Sequence, residues 1–420
     1  MRSGFLILCF LLCSPLKAQS LAIRAGSLID PATGAVAKNQ IILIEGGTIK
    51  SVGAGLTVPG DAQVIDLSSE WVTPGLMDAH THLTFSEIQG GGKATFESAY
   101  LQESSVFRGF RGLHNAEIML QAGFTTVRDV GNEANYACHD LRHAIQEGWF
   151  NGPTIQCAGK IIAPFGAQSR NFSIEQGPFW RFEYIDADTP SEIIKGIHEN
   201  IYYGADVIKL VANNGDFHYS EADIRVAVTE AHRAGRPVAV HVYGGPEADA
   251  VIRGGADSVE HGFTLTDEQL RMMKERGTYL VGTDFPTAVL ESLSPENDLL
   301  DHAKALGLAI VDRLRRAQAI GVKMAFGSDM VTEEPNRTRA DLVFDILAVW
   351  RAAGVSTADI LKCMTTNPAE LLRISQQRGA IAPGFAADII AMPANPLADI
   401  ESLRKVNFVM KDGKVVRAPK

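Results

Sequence analysis

Residues 73–83 read Thr73-Pro74-Gly75-Leu76-Met77-Asp78-Ala79-His80-Thr81-His82-Leu83. The Pro-Gly pair breaks the chain. The short apolar run behind it has the length of a buried strand and closes on two histidines. Along a strand, residues two apart share a side, so His80 and His82 can grip one ion. A bare His-x-His is common by chance, and its weight depends on where this strand lies.

Seven further short apolar runs follow, at 125–130, 154–161, 205–211, 237–242, 258–259, 279–281 and 323–326. Helical stretches such as 221–234 and 302–319 separate most of them. Eight βα units predict the α/β class and a closed (β/α)8 TIM barrel. Outside it, residues 41–44 and 49–52 flank Glu45-Gly46-Gly47, and residues 408–410 and 414–416 flank Lys411-Asp412-Gly413, both hairpin signals. The two ends are expected to pair as a small β-sandwich. The organisation is then a signal peptide over 1–20, the N-terminal β-sandwich segment over 21–72, the barrel over 73–375, and the C-terminal β-sandwich segment over 376–420.

The 420 residues suit this plan, since a barrel takes roughly 250. A hydrophobic content of 46% supports a large core, and the formal charge of −10 gives no general attraction for nucleic acid or anionic membrane. Arg2 followed by the apolar residues 5–12 reads as an export signal, with Ala18 or Ser20 near the cut. That run is too short to span a bilayer, which needs about 20 residues. A secreted or periplasmic protein without a membrane anchor is expected. Cleavage leaves Cys138, Cys157 and Cys363, an odd number at wide spacing that reads as small core residues without a disulfide. The stretch 164–188, with Phe165, Phe172, Phe179, Trp180, Phe182 and Tyr184, reads as a long aromatic loop. It either shapes a substrate pocket or packs over the barrel rim.

Other ligand-type residues close later runs. Lys209 sits inside Val207-Ile208-Lys209-Leu210-Val211, where a charged, unpaired amine is costly and burial favours the neutral form. A neutral amine can take up carbon dioxide as a carbamate, an anionic ligand with two oxygens; a lysine snorkelling to the barrel mouth is the plainer reading. His241 ends Val238-Ala239-Val240-His241, and His261 follows Ser258-Val259-Glu260. Asp329 closes Ala325-Phe326-Gly327-Ser328-Asp329 and can hold a metal, accept a proton from water, or cap a helix. Each residue has a bland explanation. Together, runs one, four, five, six and eight present such residues at the end of a barrel where barrel enzymes place their sites.

On these residues the chain resembles the amidohydrolase superfamily, and most resembles the branch with imidazolonepropionase-related hydrolases, Xaa-Pro-type dipeptidases and ochratoxin-degrading amidases. The likeness extends to Ala122-Gly123-Phe124-Thr125-Thr126-Val127-Arg128-Asp129, Asn367-Pro368-Ala369-Glu370-Leu371, and Gly379-Ala380-Ile381-Ala382-Pro383-Gly384 with Ala387-Asp388. It implies two divalent ions, with zinc expected. His80, His82 and Asp329 would hold one, His241 and His261 the other, and carboxylated Lys209 would bridge them. It further implies that a bridging hydroxide attacks an amide carbonyl, with Asp329 as general base and then acid. Tyr243, two residues after His241, would meet the substrate carboxylate, or be a rim tyrosine. Two loops depart from relatives: Ala163-Pro164-Phe165-Gly166-Ala167-Gln168, where many carry Gly-Gly-His, and Asn213-Asn214-Gly215-Asp216-Phe217-His218, where many carry Gly-Gly.

The expected activity is hydrolysis of dipeptides or N-acyl amino acids, small-molecule amide or peptide substrates. The alternatives are cyclic amides or lactones on the same site, or a non-catalytic binding protein on this fold. A homo-oligomer is compatible with each. His139 and His143 lack the glutamate of His-Glu-x-x-His and read as a solvated helix face. His114, His198, His232 and His302 fall on helical stretches, and His218 is a candidate substrate contact.

Overall fold

The computed structural model describes residues 20–88, 101–166, 168–169, 173–214, 217–292 and 297–419. Residues 1–19 of the expected signal peptide and Phe172 lie outside them, while Ser20, the last residue of that expected segment, opens β1. Four strands open the described chain: β1 (Ser20–Asp30), β2 (Ala35–Glu45), β3 (Thr48–Gly53) and β4 (Gln63–Pro74). The Glu45↔Thr48 pair closes a two-residue turn at Gly46 and Gly47, with φ of 57° and 80°. Positive φ at both central positions is the turn that matches strand twist.

The central strands are β5 (Leu76–Thr81), β6 (Phe124–Asp129), β7 (Thr154–Cys157), β8 (Ile161–Ala163), β9 (Tyr184–Asp186), β10 (Ile208–Val211), β11 (Val238–Val242), β12 (Ser258–His261) and β13 (Tyr279–Val281). Parallel ladders join β5 to β6 and β6 to β7. Others join β8 to β10, β10 to β11, β11 to β12, and β12 to β13. The third apolar run, read as one strand, is thus split. β7 pairs with β6 while β8 pairs with β10, and Gly159 between them turns the backbone at φ 75°. The eighth run makes a single bridge, Leu280↔Met324. Its Phe326 carbonyl nevertheless accepts from the Ala79 amide at 2.8 Å, which carries the pairing back to β5.

Helices α1 (Ser105–Gln121), α2 (Ala137–Gln146), α3 (Pro190–Tyr202), α4 (Glu221–Arg233), α5 (Gly245–Gly254), α6 (Asp267–Arg276), α7 (Asn297–Ile320) and α8 (Arg339–Ala352) alternate with these strands. Capping boxes at Thr189/Glu192, Ser220/Asp223, Thr266/Gln269 and Thr338/Asp341 start four of them. Each box satisfies amides that the first turn leaves unpaired, so the loops before these helices enter at fixed angles. Among the described residues no helix is long and apolar enough to cross a membrane.

The chain then returns to its start. β14 (Ile389–Met392), β15 (Phe408–Lys411) and β16 (Lys414–Arg417) complete one seven-stranded sheet in the order β16-β15-β14-β4-β1-β2-β3. One apolar cluster, with Ile23, Ile42, Leu67, Ile389 and Phe408, draws on strands from both ends. The expectation of unpaired cysteines is corrected: Cys138 on α2 and Cys157 at the end of β7 form a disulfide, with Cα atoms 6.1 Å apart. α2 packs against β7, which brings together residues that spacing alone leaves apart. Cys363 is a buried thiol.

Candidate metal centre

β5, β10, β11 and β12 carry His80, Lys209, His241 and His261, and His82 and Asp329 follow the first and eighth runs. The register explains the grouping. Val211 pairs with His241, and Val242 with His261, so neighbouring strands bring these residues to one end of the ladder. The His80 ring lies 5.3 Å from that of His82 and 5.0 Å from that of His261, and His241 lies 4.3 Å from His261. Asp329 reaches three of the four: Oδ1 is 3.2 Å from His82 Nε2 and 3.7 Å from His80 Nε2, while Oδ2 is 3.7 Å from His261 Nδ1. Donor atoms of His80, His261 and Asp329 all lie within 4.8 Å of one another. Lys209 is buried, and its charge acts on His80, His241, His261 and Asp329.

The backbone is bent to make this grouping. His261 and Asp329 both adopt positive φ, 71° and 50°, a conformation uncommon outside glycine and concentrated at functional sites. Gly327 lets the eighth run approach β5. A Cβ there would stand 2.7 Å from His80 Cβ and 2.3 Å from Val281 Cγ1. Asp78 Oδ1 pins the same junction, accepting from the amides of His80 at 3.1 Å and Ser328 at 2.9 Å.

Behind the rings lies a layer that sequence reading left without a role. His80 Nδ1 faces Glu260 Oε2 at 2.6 Å, and Glu260 Oε1 accepts from Arg128 Nη2 at 2.8 Å. His82 Nδ1 faces the Gly131 carbonyl at 2.7 Å. His261 Nδ1 is 2.8 Å from Thr283 Oγ1, and His241 has Gln168 Nε2 at 3.5 Å. The signal was present: Arg128 and Glu260 are charged residues inside apolar strand runs, where an ion must be paired. Arg339 ties the neighbouring loops, donating to the carbonyls of His82, Phe85 and Met330.

Burial dominates the electrostatics. It pushes His80 down to about 4 and His241 down to about 3, helped in both by Lys209. His261 is driven well below the ordinary histidine value by burial and by the neighbouring histidines. His82 goes the other way, because its hydrogen bond and charge contact with Asp329 outweigh burial. Lys209 falls to about 8, again mainly through burial. Asp329 stays below the usual carboxylate range: burial opposes its charge, but His80, His82 and Lys209 outweigh it. At neutral pH the centre therefore offers the neutral imidazoles of His80, His241 and His261 around an ionised carboxylate, with His82 hydrogen-bonded to that carboxylate.

That donor set fits a divalent cation. His80 Nδ1 is committed to a carboxylate, which only accepts, so Nε2 is the bare lone pair. This Nε2 is buried, has no hydrogen-bond partner among the described residues, and faces Asp329. Imidazole and carboxylate together suit zinc and similar ions.

The remaining candidates from the sequence fall elsewhere. Tyr243 flanks the centre, half-exposed, stacked on Phe263 at 5.2 Å and edge-on to His241 at 4.7 Å. The aromatic stretch divides: Trp180 and Tyr184 are buried with Ile161 and Val211, while Phe165 and Phe182 are exposed. Tyr184 also donates to Gln168 Oε1 at 3.0 Å, which links the stretch to His241. The solvated face expected for His139 and His143 holds for His143 alone. His139 is half-buried against Tyr136, and its ring nitrogens have no hydrogen-bond partner among the described residues. His198 and His232 pair with Glu230 and Asp257 away from the centre, and His218 is exposed on a short hairpin.

The chain belongs to the amidohydrolase family, whose model matches residues 71–416. It is thereby a hydrolase acting on carbon–nitrogen bonds, in a family that is generally metal-dependent. It is 28% identical to ochratoxinase of Aspergillus niger, over 96% of this chain and 88% of that protein. It is 24% identical to imidazolonepropionase of Kosmotoga olearia, over 91% of each. Among solved structures it is similar to a Xaa-Pro dipeptidase with methionine bound in its active site, with a TM-score of 0.85, 28% identity, and coverage of 95% of this chain and 100% of that one. The non-catalytic reading is set aside.

Proposed function

We propose that this protein is a binuclear metal-dependent hydrolase of dipeptides or N-acyl amino acids. The observation that carries the proposal is the buried, unpartnered Nε2 of His80, turned toward Asp329 among three further histidines. His80, His82 and Asp329 would hold one ion, His241 and His261 the second, with Lys209 between them. For Lys209 to bridge as an anion, its neutral Nζ forms a bond to the carbon of carbon dioxide and releases one proton. Its burial and lowered pKa favour that neutral amine. When bound, zinc or a similar ion lowers the pKa of a water and polarises the amide carbonyl.

The chain's own role is proton traffic and placement. Asp329, ionised and within reach of three histidines, accepts the proton of the attacking water at a carboxylate oxygen. It then delivers that proton to the departing nitrogen, so the amine leaves neutral. Tyr243, half-exposed beside His241, would donate its hydroxyl hydrogen to a substrate carboxylate. The ladders and the return of the eighth run to β5 support a closed eight-membered barrel over 73–375, flanked by the sheet built from 21–72 and 376–420. The disulfide supports an exported protein, secreted or periplasmic, with 1–20 as its signal.

The dipeptidase and ochratoxinase relatives support open-chain amides as substrates; the imidazolonepropionase relative keeps cyclic amides as the second reading. The test is a screen of zinc-loaded protein against dipeptides, N-acyl amino acids, cyclic amides and lactones. Turnover of open-chain amides is expected, and turnover of lactones or cyclic amides alone would overturn the substrate proposal.

A further inference from the structure

Glu260, Arg128 and Ser258 take no part in the chemistry above, yet they form a buried ionic cluster against one ligand. Burying two charges is costly and is offset only by close, saturated contacts. Here the contacts converge on His80. Arg128 donates Nη2 to Glu260 Oε1 at 2.8 Å and Nη1 to Ser258 Oγ at 3.2 Å, and its Nε donates to the carbonyl of Ala79, the residue before His80. Ser258 donates to the same Glu260 oxygen. The other oxygen, Oε2, is left for His80 Nδ1 at 2.6 Å.

The remaining rings have weaker backing. His82 leans on a neutral carbonyl. Thr283, behind His261, carries a hydroxyl that can donate or accept, so it dictates no tautomer. Among the described residues, His241 has only a long contact to the Gln168 amide. A carboxylate behind an imidazole both fixes its tautomer and strengthens it as a donor.

We infer that Glu260 is a positioning residue that locks His80 as the Nδ1–H imidazole, and so makes the His80/His82/Asp329 side of the centre hold its ion more tightly than the His241/His261 side. The asymmetry rests on the two-ion reading; the lock on His80 does not. The chemistry of a Glu260→Gln change makes the inference sharp. Arg128 only donates, so the glutamine carbonyl must face Arg128. The amide NH2 then faces His80 Nδ1, which must accept, and the ring proton moves to Nε2, the ligating atom. Adding Arg128→Met frees the glutamine to turn its carbonyl toward His80 and restores the original tautomer.

The experiment uses full-length protein stripped of metal, as wild type, Glu260→Gln and Glu260→Gln/Arg128→Met, each checked for folding by its thermal transition. Histidine 15N spectra, assigned through His80→Ala, read the tautomer, and zinc titration against a chromophoric chelator reads the affinities. Wild type should show Nδ1–H on His80 and two unequal zinc sites. Glu260→Gln should show Nε2–H and weaken the tighter site by roughly 10- to 100-fold, with the other within about threefold. The double variant should recover most of the loss. A purely structural cluster gives the opposite pattern, with both sites weakened alike and the double variant no better than the single. That pattern, or an unchanged tautomer in folded Glu260→Gln, would overturn the inference. A wild type that binds one ion refutes the two-ion reading and the asymmetry, while the metal-free spectra still decide the lock on His80.

Discussion

The two halves of the centre are built differently. His80 lies near the end of β5 and His82 follows that strand, with a buried carboxylate and a carbonyl behind their Nδ1 atoms. His261 bends at φ 71°, and the contacts behind it and His241 are a hydroxyl and a loop amide. One half is fixed by ionic and backbone partners before any ion arrives. The other is backed by polar groups that can reorient. A site with one rigid and one adaptable half can keep an ion in place while the opposite side accommodates substrate.

Asp329 spans the comparison, touching His80 and His82 through one oxygen and His261 through the other. Asp329→Asn should therefore cost the most. A fall in kcat of about 10²- to 10⁴-fold is expected from the loss of a general base. Steady-state kinetics on the best open-chain amide checks it, and a variant within threefold of wild type would break the proton-transfer role.

The disulfide comes next, because Cys157 ends β7 and Cys138, on α2, follows the turn that supplies the Gly131 carbonyl to His82. Replacing both cysteines by serine should destabilise the fold by roughly 3 kcal/mol, the loop-entropy estimate for a bridge of this span. Chemical denaturation reads this, and equal midpoints for the variant and the oxidised wild type would contradict it.

Acid should separate the rings. His80 at about 4 and His241 at about 3 are both below the ordinary 6.5, so between those values the unfolded chain binds more protons than the folded one. Metal-free protein should lose stability as pH falls from about 6.5, the His80 contribution being gone by about 4 and the His241 contribution by about 3. His82, shifted upward, offsets some of this. Thermal midpoints across pH 7 to 4 test the sign; a flat or rising profile on acidification would contradict it. The smallest effect should come from Tyr243→Phe, on the adaptable half, which should raise KM by about three- to tenfold with little change in kcat, as for one hydrogen bond. No change in KM would leave Tyr243 a rim residue.

The difference between the halves also marks what could be read from the chain. Each ligand candidate but Lys209, which sits inside its run, closes or follows an apolar run, and strand periodicity is enough to place it at one end of a ladder. The partners behind the ligands were harder to see. Glu260 and Arg128 belong to segments 132 residues apart in sequence, on strands that pair with other strands, and only the complete fold brings their side chains together. The same limit hid the Cys138–Cys157 pair, which needs α2 folded onto β7. The split of the third run had a local cause, the positive φ of Gly159, that composition does not display. The eighth run, with its single bridge, was visible only because its apolar residues continue into Asp329.

These six residues are proposed to form a metal-dependent amide-hydrolysing centre. The most direct test measures metal content and open-chain amide hydrolysis on one preparation, before and after chelation and after reloading with zinc and bicarbonate. The expected result is close to two ions per chain, activity lost with the ions, and activity restored with them. A protein that stays inactive when reloaded, or that hydrolyses amides equally well without metal, would contradict it.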